Sequence, residues 1–270
     1  MIGQTKLLNS INNLISKYPR FSIIVGGRGS GKKTICKEIA SKLNLSPLFI
    51  GNKIEDIRNA IDMAYTQFKP IVFIIADADN MSLAAKNSML KITEEPPKES
   101  YFILTLENIE NTLPTIKSRG TVFKLDPYSQ EELVEYRKLK GYNSVFDDII
   151  KLVCLTTGDV DKLFAYDVEE FYSFVKIVAD NIQVPKSGNA FKISQKLKIK
   201  DTDKGYDLSL FLKAIEEVFL MKAKETKNKC YLLASLESAK SLRDLRYATV
   251  SKLGIIDKWI MNTRAVLRDV

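Results

Sequence analysis

Residues 26–34 read GGRGSGKKT, and that stretch decides the fold. A phosphate-binding loop follows the pattern Gly, four residues, Gly, Lys, then Ser or Thr. Gly26, Gly31 and Lys32 fit, Lys33 stands at the hydroxyl position, and Thr34 arrives one residue late. Gly27, Gly29 and Ser30 fill the middle of the loop. Glycines here let backbone N–H groups converge on phosphate oxygens at a helix N-terminus. Lys32 would add a cation beside the terminal phosphates. The context is the one the motif requires. An apolar, β-branched run ends at Val25, and Ile35, Ile39 and Leu43 then recur at helical spacing. Strand, glycine turn and helix together predict an NTPase-type fold.

Further along, the pattern alternates. "PLFIG" (47–51), "IVFII" (71–75), "YFILTL" (101–106) and "TVFKL" (121–125) read as strands. "IEDIRNAIDMAYTQF" (54–68) is an amphipathic helix, and "SLAAKNSMLKITEE" (82–95) is a helix begun by Ser82 and stopped by Pro96 and Pro97. Strands alternating with helices predict a parallel sheet in a doubly wound α/β domain. After Pro127 the composition changes. Ser129 and Glu132 form a capping-box pattern that opens a run of helices, with no further convincing strand. "QVPKSGN" (183–189) and "IKDTDKGYD" (199–207) read as loops, and the basic "KISQKLKIK" (192–200) as a solvated helix face.

The chain has 270 residues, 45% hydrophobic and 27% charged, room for about two domains. No apolar run reaches the ~18 residues of a membrane span, and "MIGQTKLLNS" lacks a signal-peptide core, so a cytoplasmic protein without membrane contact is expected. Cys36, Cys154 and Cys230 stand far apart, which argues against zinc and against a disulfide scaffold. There is no histidine, which removes the commonest general base. The net charge of +8, from 41 basic and 33 acidic residues, suits a polyanionic partner or a lysine-rich soluble surface equally.

Hydrolysis in such a loop needs magnesium, held by the Ser or Thr after the Lys and by an Asp at the end of a later strand. Lys33 cannot ligate a metal. "IIADAD" puts Ala76 at the carboxylate position and Asp77 where a water-polarising Glu would stand. Two losses aimed at one ion predict a site released from hydrolysis, although Thr34 or Asp77 could compensate.

Five stretches, in order, resemble clamp-loader subunits of the AAA+ class, most of all the delta-prime type of bacterial DNA polymerase III. They are "IGQ" (2–4), the loop itself, "ADADNMSLAAKNSMLKITEEPP" (76–97), "YFILTLEN" (101–108) and "PTIKSRG" (114–120). The third is similar to the family's "DEADxMTxxAxNALLKTLEEPP". The last resembles its SRC motif, with Gly120 in place of Cys. The resemblance implies an adenine pocket near "IGQ", a sensor strand at 101–108, and an SRC arginine, Arg119, oriented by Ser118 and given to a neighbour's ATP. "TTGDVDKLFAY" (156–166) resembles the lid segment, with Asp161 where the family's arginine meets the γ-phosphate. It thus implies an AAA+ P-loop domain at 1–126, a helical lid at 127–168 and an all-α collar at 169–270, matched more loosely. The zinc module of bacterial relatives is missing between Leu43 and Ile54.

The implied partners are other clamp-loader subunits in a hetero-oligomeric, pentameric ring, a sliding clamp and primer-template DNA. Lys86, Lys91 and Lys98 lie on or after a helix that faces DNA in the family, or simply on a solvated face. ATP in the chain's own site is left open; magnesium there and zinc are not expected. The expectation is an assembly subunit of weak or absent ATPase, which supplies its arginine in trans. Two alternatives stay open, an active AAA+ motor subunit and a nucleotide-independent DNA-binding scaffold.

Overall fold

A computed structural model describes residues 2–66, 69–97, 100–183, 189–198, 205–245 and 251–269. Two compact units divide the chain, 1–132 and 133–270. The first runs α1 (Thr5–Leu14), β1 (Phe21–Val25), α2 (Lys32–Lys42), β2 (Ser46–Ile50), α3 (Ile54–Thr66), β3 (Ile71–Ile75), α4 (Leu83–Ser88), α5 (Leu90–Glu94), β4 (Ser100–Leu106), α6 (Pro114–Arg119) and β5 (Thr121–Lys124). All five strands are parallel, in the order β2-β3-β4-β1-β5.

Successive side chains leave a strand on opposite faces, and helices cover both faces of this sheet. Phe21, Ile23, Phe73, Phe102 and Leu104 point to one side, against Ile57, Met89 and Ile116. Ile24, Val72, Ile74 and Ile103 point to the other, against Ile11, Ile35 and Ile39. That is why the inner strands read as unbroken apolar runs. β2 lies at the edge, where Pro47 is tolerated because no further strand needs its missing N–H.

The expected helix at 82–95 is broken by a turn at Met89 into α4 and α5. Met89 is fully buried beneath the break, so packing overrides a local pattern that reads as one helix. Ser82 does cap α4, accepting the Ala85 N–H.

Helices follow: α7 (Gln130–Lys140), α8 (Asp147–Val153), α9 (Thr157–Leu163), α10 (Val168–Asn181) and α11 (Asn189–Lys196). Ser129 and Glu132 form the capping box ahead of α7, each side chain bonding the other's backbone N–H. The expectation of no strand after Pro127 is corrected by a small parallel pair, β6 (Leu197–Lys198) with β7 (Tyr206–Asp207). Two residues per strand are too few to leave a periodic signal. Most of the two expected loops, 184–188 and 199–204, lies outside the described residues.

The chain then runs through α12 (Leu208–Thr226), α13 (Lys229–Asp244) and α14 (Lys252–Val266). Phe211, Leu212, Ile215, Val218 and Phe219 are all buried, and the Phe211 ring meets Trp259 edge-on. The exposed apolar face belongs to α13 instead. It turns Ala234, Ser235, Ser238 and Ser241 inward and Leu232, Leu233 and Leu236 outward. Ser238 earns its burial by accepting the Trp259 indole N–H at 2.9 Å.

Candidate functional site: a phosphate loop and a far-edge arginine

β1 ends at Val25, and the chain turns directly into the glycine loop. The Gly26 N–H bonds the Leu106 carbonyl at 3.0 Å, which ties the loop's start to the end of β4. Gly29 and Gly31 have φ of 79° and 88°, a left-handed conformation that only glycine adopts without strain. Gly31 caps α2, so the N–H groups of its first turn (Lys32, Lys33, Thr34) have no partner within the helix. A side chain at Gly26 would meet the Ser30 hydroxyl and Leu125, whereas Gly27 faces open space. The Ser30 hydroxyl donates to the Gly27 carbonyl at 2.7 Å, and Tyr128 donates to the Ser30 carbonyl at 3.0 Å.

Lys32 is only 7% exposed. Its ammonium donates to the Gly26 and Gly27 carbonyls at 2.7 and 3.0 Å. Burial lowers its pKa below the usual lysine range, and the carboxylates of Glu107, Asp77 and Asp79 oppose that shift. A cation folded onto loop carbonyls can swing to phosphate when an anion enters. The cradle therefore suits a polyphosphate.

The far wall is the end of β3. Asp77 adopts a left-handed backbone (φ 53°, ψ 47°) and gives its N–H to the buried Thr105 hydroxyl at 3.0 Å. Asp79 binds the Glu107 and Asn108 N–H groups at 2.7 and 3.2 Å and the Asn111 amide at 3.0 Å, which fastens the turn after β4. The Asp77 carboxylate is 4.0 Å from the Lys33 ammonium, both side chains being more than half exposed. Thr34 is exposed one position further along α2. Among the described residues no group of three or more His, Cys, Asp or Glu is arranged to hold a metal. The residues present do not suit magnesium, since an ammonium and Ala76 occupy its two usual ligand positions.

Gln4 is buried and pairs both ways with the Asp126 backbone, donating to its carbonyl at 2.9 Å and accepting its N–H at 3.1 Å. "IGQ" thus anchors the N-terminus to the strand-end beside the loop.

Arg119 ends α6, just before β5. β5 is parallel to β1, with Thr121 opposite Ser22 and Lys124 opposite Val25. The loop therefore leaves the carboxyl edge of the sheet and Arg119 stands at the amino edge, beyond the other end of β5, whose four residues span about 13 Å at 3.3 Å per residue. The Arg119 guanidinium donates to the Thr115 carbonyl at 2.9 Å and pairs with Glu94 at 2.6 Å. A local ion pair is thus present, through a partner far in sequence. Ser118 donates to the Thr115 carbonyl at 3.1 Å. A side chain at Gly120 would strike Ile23 at 2.6 Å, so the close approach of α6 to β1 demands glycine.

A family model described as "DNA polymerase III, delta subunit" matches residues 48–129. The gamma subunit of DNA polymerase III from Buchnera aphidicola (Schizaphis graminum) is 31% identical over 164 residues, 56% of this chain and 44% of that one. The delta' subunit from Haemophilus influenzae is 30% identical over 90 residues, 33% of this chain and 28% of that one. The chain is akin to the clamp-loader subunits of DNA polymerase III. It spans less than half the length of these two relatives. A DNA polymerase III gamma subunit-related protein from Thermotoga maritima shares its fold, with a TM-score of 0.51 at 19% identity, over 96% of this chain and 99% of that one. The fold it shares is a parallel α/β domain with a glycine loop after β1, followed by a helical region.

The helical unit carries the "GDVDK" segment at 158–162. Asp159 is buried, completes a capping box with Thr156, and pairs with Lys213 of α12 at 2.7 Å. Asp161 accepts the Tyr136 and Tyr142 hydroxyls at 2.8 and 3.3 Å. Its carboxylate is engaged within that unit. Lys86 bonds the Asn111 carbonyl, Lys91 lies over the Tyr65 ring, and Lys98 lies outside the described residues. Among the described residues no helix is long and apolar enough to cross a membrane.

Sequence reasoning missed Thr105, Asp79, Glu94 and Tyr128. Asp79 stood inside a quoted motif, and its acidity next to a strand end was the available signal. The other three act through partners 25 or more positions distant, which no local pattern reveals.

Proposed function

We propose that this protein is a clamp-loader subunit that lends Arg119 to the ATP of a neighbouring subunit and hydrolyses none itself. The observation that carries the reading is the separation of the two sites. Arg119 stands at the amino edge of the parallel sheet, and the chain's own phosphate loop at the carboxyl edge. A guanidinium so placed can meet a triphosphate only across an interface. Its own loop, with Lys33 and Ala76 at the metal-ligand positions, lacks the ligands that would hold magnesium. Ser118, bonded within the last turn of α6, positions the arginine's loop.

In this reading residues 1–126 form the P-loop domain, 127–168 a lid, and 169–270 a collar that joins other subunits in a hetero-oligomeric ring of five. The assembled ring loads a sliding clamp onto primer-template DNA. The exposed leucines of α13 suit contact with a neighbour. Lysines of the 83–94 helices suit sequence-independent phosphate contacts that weaken with salt.

The test is steady-state ATP turnover by the reconstituted complex carrying Arg119→Ala, beside turnover by the isolated chain. The reading expects the complex to lose its rate and the isolated chain to have none. A complex that keeps its full rate, or robust magnesium-dependent turnover by the chain alone, rejects it.

A further inference from the structure

We infer that the Lys33 ammonium takes the place of the divalent cation, so that this loop holds a nucleoside polyphosphate without metal. The inference deepens the proposed silence of the site. It shares with that proposal only the reading of residues 26–34 as a phosphate cradle, and it is independent of Arg119.

Metal-dependent loops grip their cation from two sides, by a hydroxyl on the first turn of the helix and a carboxylate at the end of a strand. Here the same two elements face each other across a positive charge that is covalently attached. Lys33 springs from the first turn of α2, and its ammonium stands 4.0 Å from the Asp77 carboxylate at the end of β3. Asp77 is held in place by its left-handed backbone and by its N–H bond to Thr105, so the acceptor is fixed while the lysine is free to move. The two charges are exposed and loosely paired, which makes the ammonium cheap to redirect. Entering phosphate oxygens would find Lys32 on one side and Lys33 on the other, with Arg28 close enough to act on Lys32. A divalent ion at this spot would instead meet the ammonium at close range and find Ala76 in place of its carboxylate. The cradle itself is intact: Gly29 and Gly31 keep the required backbone, and the Lys32 ammonium is folded onto the loop.

The experiment is a titration of the full chain with mant-ATP, read by fluorescence, in EDTA and in excess magnesium. The wild-type chain should bind at least as tightly in EDTA as in magnesium. Lys33→Thr restores the hydroxyl and removes the ammonium. It should weaken binding in EDTA about tenfold, the scale of one lost charge-assisted contact, and gain affinity when magnesium is added. Lys33 is exposed, so the variant should fold, which circular dichroism checks. Three results overturn the inference. They are a wild-type affinity that rises about tenfold with magnesium, a Lys33→Thr chain that matches wild type in EDTA, or no mant-ATP binding in either buffer. The last leaves the Arg119 proposal standing, because that is read from the turnover of the complex.

Discussion

At the carboxyl edge of the sheet the chain has a glycine loop, with Lys33 on the first turn of α2 and Ala76 after β3. At the amino edge it keeps an arginine, Arg119, on a short helix wedged against β1 through Gly120. Each edge has a glycine that the geometry demands. The side chains that do chemistry differ. The contrast teaches that a fold's scaffold and its reactivity depend on different residues. The loop's shape comes from Gly29, Gly31 and the β1–α2 junction, none of which depends on the side chain of Lys33.

The largest effect is expected at the amino edge. Arg119→Ala should lower the ATP turnover of the assembled complex by about 10³-fold or more. Arg119→Lys should recover little of it, because a point charge does not replace a planar fork. Recovery of most of the rate by lysine would reduce Arg119 to a general positive charge and blur the contrast.

Next comes the fastening of the carboxyl edge. Asp79→Ala removes the acceptor of three donors after β4 and should lower the stability of the chain by about 2–3 kcal/mol in urea unfolding. An unchanged midpoint would mean that water replaces the carboxylate without cost.

A smaller effect sharpens the comparison from the other side. Lys33→Thr combined with Ala76→Asp rebuilds both magnesium positions. It should make nucleotide binding about tenfold tighter with magnesium than with EDTA. If magnesium does nothing for the double variant, the edge has lost more than two side chains.

The smallest effect concerns the ion pair that holds the arginine. Glu94→Gln loosens a pair whose partners are 53% and 34% exposed, and should cost less than about 1 kcal/mol of stability. A loss of several kcal/mol would show that Glu94 anchors α5 to α6 rather than merely parking the guanidinium.

Much of this was legible in the chain as written. The strand runs at 71–75 and 101–106, the glycine loop and the Ser129–Glu132 cap each depend on neighbours a few residues apart. Local periodicity and local hydrogen bonding therefore report them. The break at Met89 was not legible, because the segment has sound helical spacing throughout and yields only to the packing around a buried side chain. The same holds for α13. Ser238 is buried there with the indole N–H of Trp259, 21 positions on, as its partner, and no local pattern reports that pairing.

The chain as written points to a glycine loop opening a parallel α/β domain and to an arginine just before the last strand of that sheet. Only the tertiary structure decided that this arginine and that loop lie at opposite edges of one sheet, that Glu94 holds the guanidinium, and that Lys33 faces Asp77. Composition and spacing act over a few residues, whereas strand order and register join positions a hundred apart, and those are fixed by the burial of both sheet faces together.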